Sequence, residues 1–245
     1  FMALRVGFKG GSSLDRDDKR GSISLMMALL EEGTGDLDAR GFAQATDELA
    51  ASFTFDASDD SVSISARMLS ENRDAAVALL RGAMSAPNFD QDAIDRVKGQ
   101  VVSMLQSDLK DPNKITREAF DNAAFGDHPY GSASDGTLDS IGALSREDLL
   151  AAHGDSMAHA RMFVSAVGDI TAEELGALMD ALLRDLPQEG AAMPGRVEVA
   201  LEAGVNVVPF DTPQSVALFG HRGIKRHDPD FFAAYIASTI LGGGG

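Results

Sequence analysis

Residues 19–35, KRGSISLMMALLEEGTG, place an apolar run between a basic start and an acidic end that contains glycine. Apolar residues recur at i, i+3, i+4 and i+7 from Ile23 to Leu30, which is the spacing of one face of a helix. Most of the remaining circumference is apolar as well. Gly33 and Gly35 have no Cβ and favour helix termination, so the helix should end near Glu32. The stretch predicts a helix buried on nearly all sides.

The composition of the whole chain narrows the classes of protein to consider. With 245 residues, 44% of them hydrophobic, the chain can form one large or two ordinary domains with a sizeable core. The net charge of -17 disfavours binding to nucleic acid or to an anionic membrane surface. The absence of cysteine excludes disulfides, thiolate nucleophiles and Cys-ligated metals. No apolar run approaches the ~18 residues of a membrane span, so we expect a soluble chain without nucleic-acid or membrane partners.

Periodicity predicts a mixture of strands and helices. The apolar residues of four short segments alternate as in half-buried strands, and those of six longer segments follow helical spacing. The predicted strands are 3–8, 52–57, 61–68 and 162–167. The predicted helices are 38–50, 73–86, 90–109, 113–125, 146–154 and 172–186. Asp59 and Asp60 mark a turn between two of the strands, which predicts a hairpin with one buried side.

A domain boundary is predicted at residues 187–196, which contain two prolines and two glycines. Beyond it we predict strands over 205–210 and 215–220 and a helix over 231–241. This order of elements repeats that of residues 3–35, which favours a duplicated domain, with chance similarity as the alternative. We therefore divide the chain into a domain at 1–190 and the start of a second, homologous domain at 197–245.

Familiar catalytic motifs are missing from the sequence. No two of the five histidines lie at i and i+4 with a glutamate between them, as a zinc hydrolase helix requires. His128 precedes Pro129 in a turn, which favours a solvated loop histidine over a metal ligand. No Gly-x-Ser-x-Gly elbow occurs. The run Gly242–Gly245 lacks the Lys and Ser/Thr of a phosphate loop, so we predict a loop there and not a nucleotide site.

Several motifs nevertheless carry a resemblance. They are LEEGT at 30–34, FGDHPYG at 125–131, TPQS at 212–215, and DPDFF at 228–232 leading into ILGGG at 240–244. In this order they resemble the pitrilysin/insulinase family of zinc peptidases, most of all its bacterial branch similar to mitochondrial processing peptidase. The resemblance implies an α+β fold of the mitochondrial processing peptidase type. Each domain would be an antiparallel sheet backed by helices, with the second copy truncated here.

The chain departs from this family at the metal site. Active members carry His-x-x-Glu-His on the first buried helix, and the matching positions here are Ser24, Met27 and Ala28. The third ligand of the family, a glutamate, corresponds to Met104. The resemblance therefore implies a degenerate site without zinc. We expect Met27, Ala28 and Met104 to pack together as core, although ordinary core residues of an unrelated helix pair would pack in the same way.

The resemblance implies a non-catalytic partner subunit of a heterodimeric zinc metallopeptidase, inactive alone and completing the chamber. Zinc is expected only in the partner, a homologous zinc-binding subunit, and this chain needs no cofactor. Peptide substrate would add as a strand to Ala51, Ser52, Phe53, Thr54 and Phe55. The substrate-contacting Arg and Tyr of related non-catalytic chains would lie beyond Gly245. The bacterial branch favours the periplasm over the cytoplasm.

Two other functions stay open at this point. The chain could be a stand-alone peptide-binding or chaperone-like module without a peptidase partner. It could also be a peptidase with unrecognised catalytic residues, such as Ser24 acting as a nucleophile, although the sequence shows no base near Ser24.

Overall fold

The computed structural model describes residues 1–242, and its main layer is a four-stranded antiparallel sheet. The strand order is β4-β5-β1-β6, and β2 and β3 form a separate two-stranded ribbon. The strands are β1 (Met2–Lys9), β2 (Gly33–Thr34), β3 (Leu37–Asp38), β4 (Ser52–Ala57), β5 (Ser61–Met68) and β6 (Met162–Gly168). All four predicted strands between residues 3 and 167 are confirmed.

Helices pack on one face of this sheet, which we call the inner face. It presents Leu4, Val6 and Phe8 of β1 and Val62 and Ile64 of β5, all buried. Residues of α1, α3, α4, α7 and α8 complete the same core. The helices are α1 (Ser22–Ala28), α2 (Ala39–Glu48), α3 (Arg73–Ser85), α4 (Gln91–Asp108), α5 (Pro112–Phe125), α6 (Leu138–Ala143), α7 (Arg146–Ser156), α8 (Ala172–Leu183) and α9 (Phe231–Leu241). The α+β class with a helix-backed antiparallel sheet is confirmed.

Local sequence signals account for several of these elements. Ser145 and Asp148 form a capping box at the start of α7, and Thr171 and Glu174 form another at the start of α8. In each box the hydroxyl accepts a backbone N–H while the carboxylate accepts the N–H of the capping residue. The sequence predicts where these two helices begin because the two residues of each capping box lie within one helical turn.

The first buried helix is shorter than predicted. Helix α1 ends at Ala28, whereas the sequence predicts an end near Glu32. Leu29 caps the helix, and the N–H of Glu32 donates to the Leu29 carbonyl at 3.1 Å in a turn. This turn leads the chain into β2, which begins at Gly33 and pairs with β3.

Residues 197–242, which we call the C-terminal segment, differ from the prediction in part. Helix α9 has the predicted bounds, but the strands predicted at 205–210 and 215–220 are absent. A strand needs a neighbour for its backbone hydrogen bonds, and no other strand among residues 1–242 pairs with this segment. The predicted loop at 243–245 lies outside the described residues, and the division into two domains stays a prediction.

None of the helices within residues 1–242 is both long enough and apolar enough to cross a membrane.

Candidate functional site: a degenerate metal position beside an edge strand

A buried carboxylate fixes the start of α1. Asp15 accepts hydrogen bonds from the backbone N–H groups of Gly21 at 2.8 Å and Ile23 at 2.9 Å, and from the Ser22 hydroxyl at 2.8 Å. Burial, the largest influence, raises the pKa of Asp15, while these hydrogen bonds and Arg20 act in the opposite direction. Gly21 has φ 89°, and a Cβ there would lie 2.7 Å from the Asp135 carbonyl oxygen. Glycine is therefore required at this position.

Arg20 holds two loops over the same end of α1. Its guanidinium pairs with Asp15 at 3.3 Å, and only 11% of its side chain is exposed. It also donates to backbone carbonyls of both loops, namely those of Ser12, Pro129 (2.8 Å), Ser132 (3.0 Å) and Ala133 (3.1 Å). Sequence reasoning missed Asp15 and Arg20. Asp15 lies six residues before the N-cap, Gly21, and helix-capping rules consider only adjacent residues.

Helix α1 has one side that is not fully buried, and two of the residues that the family resemblance assigns to the metal site lie there. Ser24 is half-buried and Ala28 is exposed, while the other five residues of α1 are buried. The Ser24 hydroxyl donates to the Ser134 carbonyl at 3.0 Å. Spacing of i and i+4 places two side chains on the same side of a helix. The small side chains of Ser24 and Ala28 are compatible with this open side, but residue type alone does not predict their exposure.

The expected packing of Met27, Ala28 and Met104 is wrong. Met27 is buried, with 1% of the residue exposed, but Met104 on α4 is 41% exposed and Ala28 is also exposed. Helix α1 does contact α4. Ala28 and Met104 are thus surface residues of two neighbouring helices, and only Met27 is part of the core.

These positions cannot supply a zinc site. Ser24, Met27, Ala28 and Met104 offer one hydroxyl, two thioethers and a methyl group, whereas zinc prefers imidazole, thiolate and carboxylate ligands. Within residues 1–242 no three His, Asp or Glu side chains converge as metal ligands. The donor set does not fit the metal.

A cavity of about 330 Å³ adjoins this surface. Leu105, next to Met104, and Ser134, the acceptor for Ser24, both contribute to its wall. Its charged lining residues are Asp59, Asp108, Glu118, Asp121, Asp135, Lys114 and Arg117. Lys114 pairs with Asp108 at 3.5 Å and Arg117 with Asp121 at 3.4 Å, so the carboxylates are in excess. The cavity favours a cationic over an anionic group.

Tyr130 lies at the edge of this cavity. Its hydroxyl donates to Asp60 at the tip of the β4–β5 hairpin, and this bond raises the pKa of Tyr130 to about 12. His128, predicted as a loop histidine, does lie in this loop, where it accepts the Tyr130 N–H at 3.3 Å. The tyrosine therefore remains a neutral donor at physiological pH.

The predicted peptide-binding strand lies at one edge of the sheet. Strand β4 pairs only with β5 among the described strands, so backbone groups along its other side have no strand partner. Ser52 and Thr54 are exposed, whereas Phe53 and Phe55 are half-buried and pack against the core. Ala51 directly precedes the strand. Helix α1 contacts β4, so this edge strand lies next to the helix that carries Ser24 and Ala28.

Comparison with known families agrees with this arrangement. The model of the insulinase family (peptidase family M16) matches residues 1–137, and that of the peptidase M16 inactive domain matches residues 143–245. The chain belongs to the insulinase family. Its similarity to proteins named a non-peptidase homolog and a peptidase M16 inactive domain supports an inactive, peptidase-like member.

Individual relatives of the family support the same conclusion. "Non-peptidase homolog YmxG" of Helicobacter pylori is 28% identical over 242 residues, which cover 98% of this chain and 56% of that protein. "Probable mitochondrial-processing peptidase subunit beta, mitochondrial" of Arabidopsis thaliana is 21% identical over 241 residues, covering 97% and 45%. The crystal structure of a peptidase M16 inactive domain from Pseudomonas fluorescens superposes with a TM-score of 0.83 and 27% identity, covering 100% of this chain and 60% of that one. The chain spans about half the length of these curated relatives.

Proposed function

We propose that this insulinase-family chain is the non-catalytic partner subunit of a heterodimeric zinc metallopeptidase. It completes the chamber and binds unfolded peptide by adding it as a strand to β4. The observation that carries the proposal is the free edge of β4, a strand that contacts α1, the helix that carries Ser24, Met27 and Ala28. Zinc belongs to the partner, a homologous zinc-binding subunit, and this chain uses no cofactor of its own.

The free edge of β4 suits peptides of many sequences. Strand addition forms hydrogen bonds through the peptide backbone, while side chains of the peptide alternate between the two faces of the sheet. On one face they meet Ser52 and Thr54, which are small and polar, and on the other they meet Phe53 and Phe55. Such an edge favours extended, unfolded segments and selects weakly among sequences.

The zinc-binding partner in this proposal is inferred from the lack of zinc ligands in this chain. A peptidase chamber in this family needs a metal site, and none of the four positions here offers a zinc ligand. One relative is named as a subunit, which describes that protein and supports an assembly of unlike chains here.

The decisive experiment asks whether peptide occupies the edge of β4. The chain has no cysteine, so a fluorophore attached to Ser52→Cys on β4 reports one sheet edge and a fluorophore on Ser165→Cys on β6 reports the other. We expect an unfolded peptide to change the signal at position 52 only. The same peptide with alternate backbone nitrogens methylated should not bind, because it cannot pair as a strand. Equal binding of the methylated peptide would refute strand addition.

Reconstitution tests the partner role separately. Mixing the chain with a His-x-x-Glu-His homologue from the same genome should give a stable heterodimer that cleaves unfolded peptide faster than either chain alone. If the chain binds peptide but forms no such complex, the stand-alone peptide-binding or chaperone-like function replaces the partner role.

The structure gives little support to a hidden catalytic serine. The Ser24 hydroxyl donates to a backbone carbonyl, and the hydrogen bonds of this side chain include no histidine or carboxylate that could act as base. Peptidase activity of the isolated chain that is lost in Ser24→Ala would establish this alternative.

A further inference from the structure

Helix α5 forms one wall of the cavity described above, although few of its side chains are buried. It contributes Lys114, Arg117, Glu118 and Asp121 to the lining of the cavity. Of its 14 residues only Ala124, next to its C-terminal end, is buried within residues 1–242, whereas α4 buries four of its 18. The position of α5 therefore depends on a small number of contacts, because packing supplies most of the stability of a helix in a protein.

Residues 187–201, which we call the strap, are bonded to the C-terminal end of α5. The Ala200 N–H donates to the Ala124 carbonyl at 2.8 Å. The Nε2 of His128, in the loop after α5, lies 3.1 Å from the Gly195 carbonyl oxygen. The buried end of α5 and the loop that follows it are therefore both joined to the strap.

The strap is also fixed at its start, a few residues after α8. The His159 N–H donates to the Pro187 carbonyl at 3.0 Å, and the Ala191 N–H donates to the Asp155 carbonyl at 3.1 Å. Asp155 belongs to α7, a helix with buried residues in the core. Residues 187–196, where the sequence predicts a domain boundary, are thus bonded to the rest of the fold. The strap reaches α5 from a fixed point.

Side chains along the strap alternate in exposure, as they do in an extended chain that lies on a surface. Val197, Val199 and Leu201 are half-buried, and Glu198 and Ala200 between them are exposed. This period of two places the apolar side chains of Val197, Val199 and Leu201 on one side of the strap and leaves the other side to solvent. Burial of apolar area therefore stabilises the strap in addition to its hydrogen bonds.

The two ends of α5 differ in their freedom to move. At its start, Lys114 pairs with Asp108 of α4 at 3.5 Å, so this end stays close to α4. After its other end, Gly126 adopts φ 55°, and a Cβ added there would have no atom within 4 Å. Hinges commonly use small residues whose backbone can rotate. The C-terminal end of α5 can therefore pivot about the start of the helix when the strap releases Ala124.

We propose that the strap holds α5 against the cavity and that displacement of the strap opens the cavity. The strap acts on the one buried position of α5 within residues 1–242, and α5 carries four of the residues that line the cavity. Movement of the chain beyond Leu201 is transmitted to the cavity through Ala200 and Ala124. This control of access does not depend on strand addition at β4 or on a partner subunit.

Two pairs of variants test the strap. Ala200→Pro removes the N–H that donates to Ala124, and Ala203→Pro makes the same replacement at an exposed residue just after the strap. Val199→Asp places a carboxylate at a half-buried position of the strap, and Val205→Asp does so at a residue that is 91% exposed. The second member of each pair is the matched control.

A single introduced thiol measures access to the cavity, because the chain has no cysteine of its own. Leu105→Cys lies in the cavity wall at a residue that is 8% exposed, so its reaction with a maleimide reports opening. Leu80→Cys lies on α3 at a residue that is fully buried and does not line the cavity, so its reaction reports unfolding of the core. Hydrogen exchange of α5 amides provides a second readout that needs no cysteine.

We expect the thiol at position 105 to react about tenfold faster in Ala200→Pro and in Val199→Asp, because the loss of a contact that fixes α5 raises its open population. The two control variants should not change this rate, and position 80 should stay unreactive. Exchange of α5 amides should accelerate in the strap variants, whereas exchange of β5 amides should not.

Equal rates at position 105 in the strap variants and their controls would overturn the proposal. Faster reaction at position 80, or faster exchange throughout β5, would also overturn it, since the strap would then stabilise the whole fold and not α5. If Leu105→Cys does not fold, the exchange of α5 amides decides alone. None of these measurements uses a peptide, so a failure of peptide binding at β4 leaves their outcome unchanged.

Discussion

Helices α1 and α9 are both apolar, yet they have opposite environments. Five of the seven residues of α1 are buried, while α9 exposes Phe232, Tyr235, Ile236 and Ile240. Helix α1 lies between the sheet and other helices and is anchored by Asp15, whereas α9 has no buried residue. The spacing of apolar residues therefore predicts a helix in both cases. It does not predict whether the helix is buried, because burial depends on the elements packed around it.

The largest effect expected from this contrast is on stability. Ile23→Ala in α1 should lower the free energy of unfolding by about 2–5 kcal/mol, because it removes a fully buried side chain and leaves a cavity. Ile236→Ala in α9 should change it by less than about 0.5 kcal/mol. Urea denaturation followed by circular dichroism measures both. Equal losses would mean that α9 is buried in the protein in solution.

The next effect concerns the open side of α1. Ser24→His/Ala28→His/Met104→Glu introduces three zinc-binding side chains at positions that are not fully buried, so the variant should fold without zinc. Zinc at about 100 times its dissociation constant should then stabilise it by about 2.7 kcal/mol.

The matched control for this variant is Tyr235→His/Thr239→His, which puts a histidine pair at i and i+4 on α9. Among the residues that the structure describes, no other helix packs against α9 as α4 packs against α1, so the control should bind zinc more weakly. Thermal melts with zinc and with chelator compare the two variants. If the triple variant melts identically in both, then α1 and α4 do not bring these three positions together.

A smaller effect is expected where Asp15 anchors α1. Asp15→Ala should destabilise the protein by about 2 kcal/mol, because it leaves the N–H groups of Gly21 and Ile23 without their acceptor. Asp228→Ala, which removes the acceptor for the Asp230 N–H before α9, should cost less. Chemical denaturation of both variants provides the measurement. A larger loss for Asp228→Ala would contradict the contrast between the two helices.

The smallest effect is a pH dependence of the core around α7. His153 is largely buried, its Nε2 lies 2.6 Å from the Met84 carbonyl oxygen, and burial lowers its pKa. The unfolded chain therefore takes up the proton first. Stability should be complete above the ordinary histidine pKa of 6.5 and should fall as the pH drops below it.

His153→Gln should reduce this loss of stability between about pH 6.5 and pH 5. His221→Gln in the exposed C-terminal segment is the matched control and should keep the pH profile of the unchanged chain. Thermal melts across this pH range compare them. A profile unaffected by His153→Gln would show that other groups cause the acid sensitivity.

Predictions from the sequence agree with the structure where the interacting residues are close together in the chain, and they fail where those residues are far apart. The hairpin at Asp59 and Asp60 and the capping boxes at α7 and α8 were predictable because their partners lie within a few residues. Arg20 was not, because it joins loops that are more than 100 residues apart. Met104 was expected in the core because of its apolar type and the family resemblance, but its exposure depends on which side of α4 the core covers.

The sequence by itself determined most strands and helices and the α+β class, which depend on residue type and on periodicity along the chain. The assignment of Ser24, Met27, Ala28 and Met104 to the zinc positions rests on the family resemblance and stays a prediction. Only the tertiary structure decided that α1 leaves one side open, that β4 forms a sheet edge, and that residues 205–210 and 215–220 are not strands. Exposure and strand pairing are set by neighbours distant in sequence, and local patterns contain no information about where those neighbours lie.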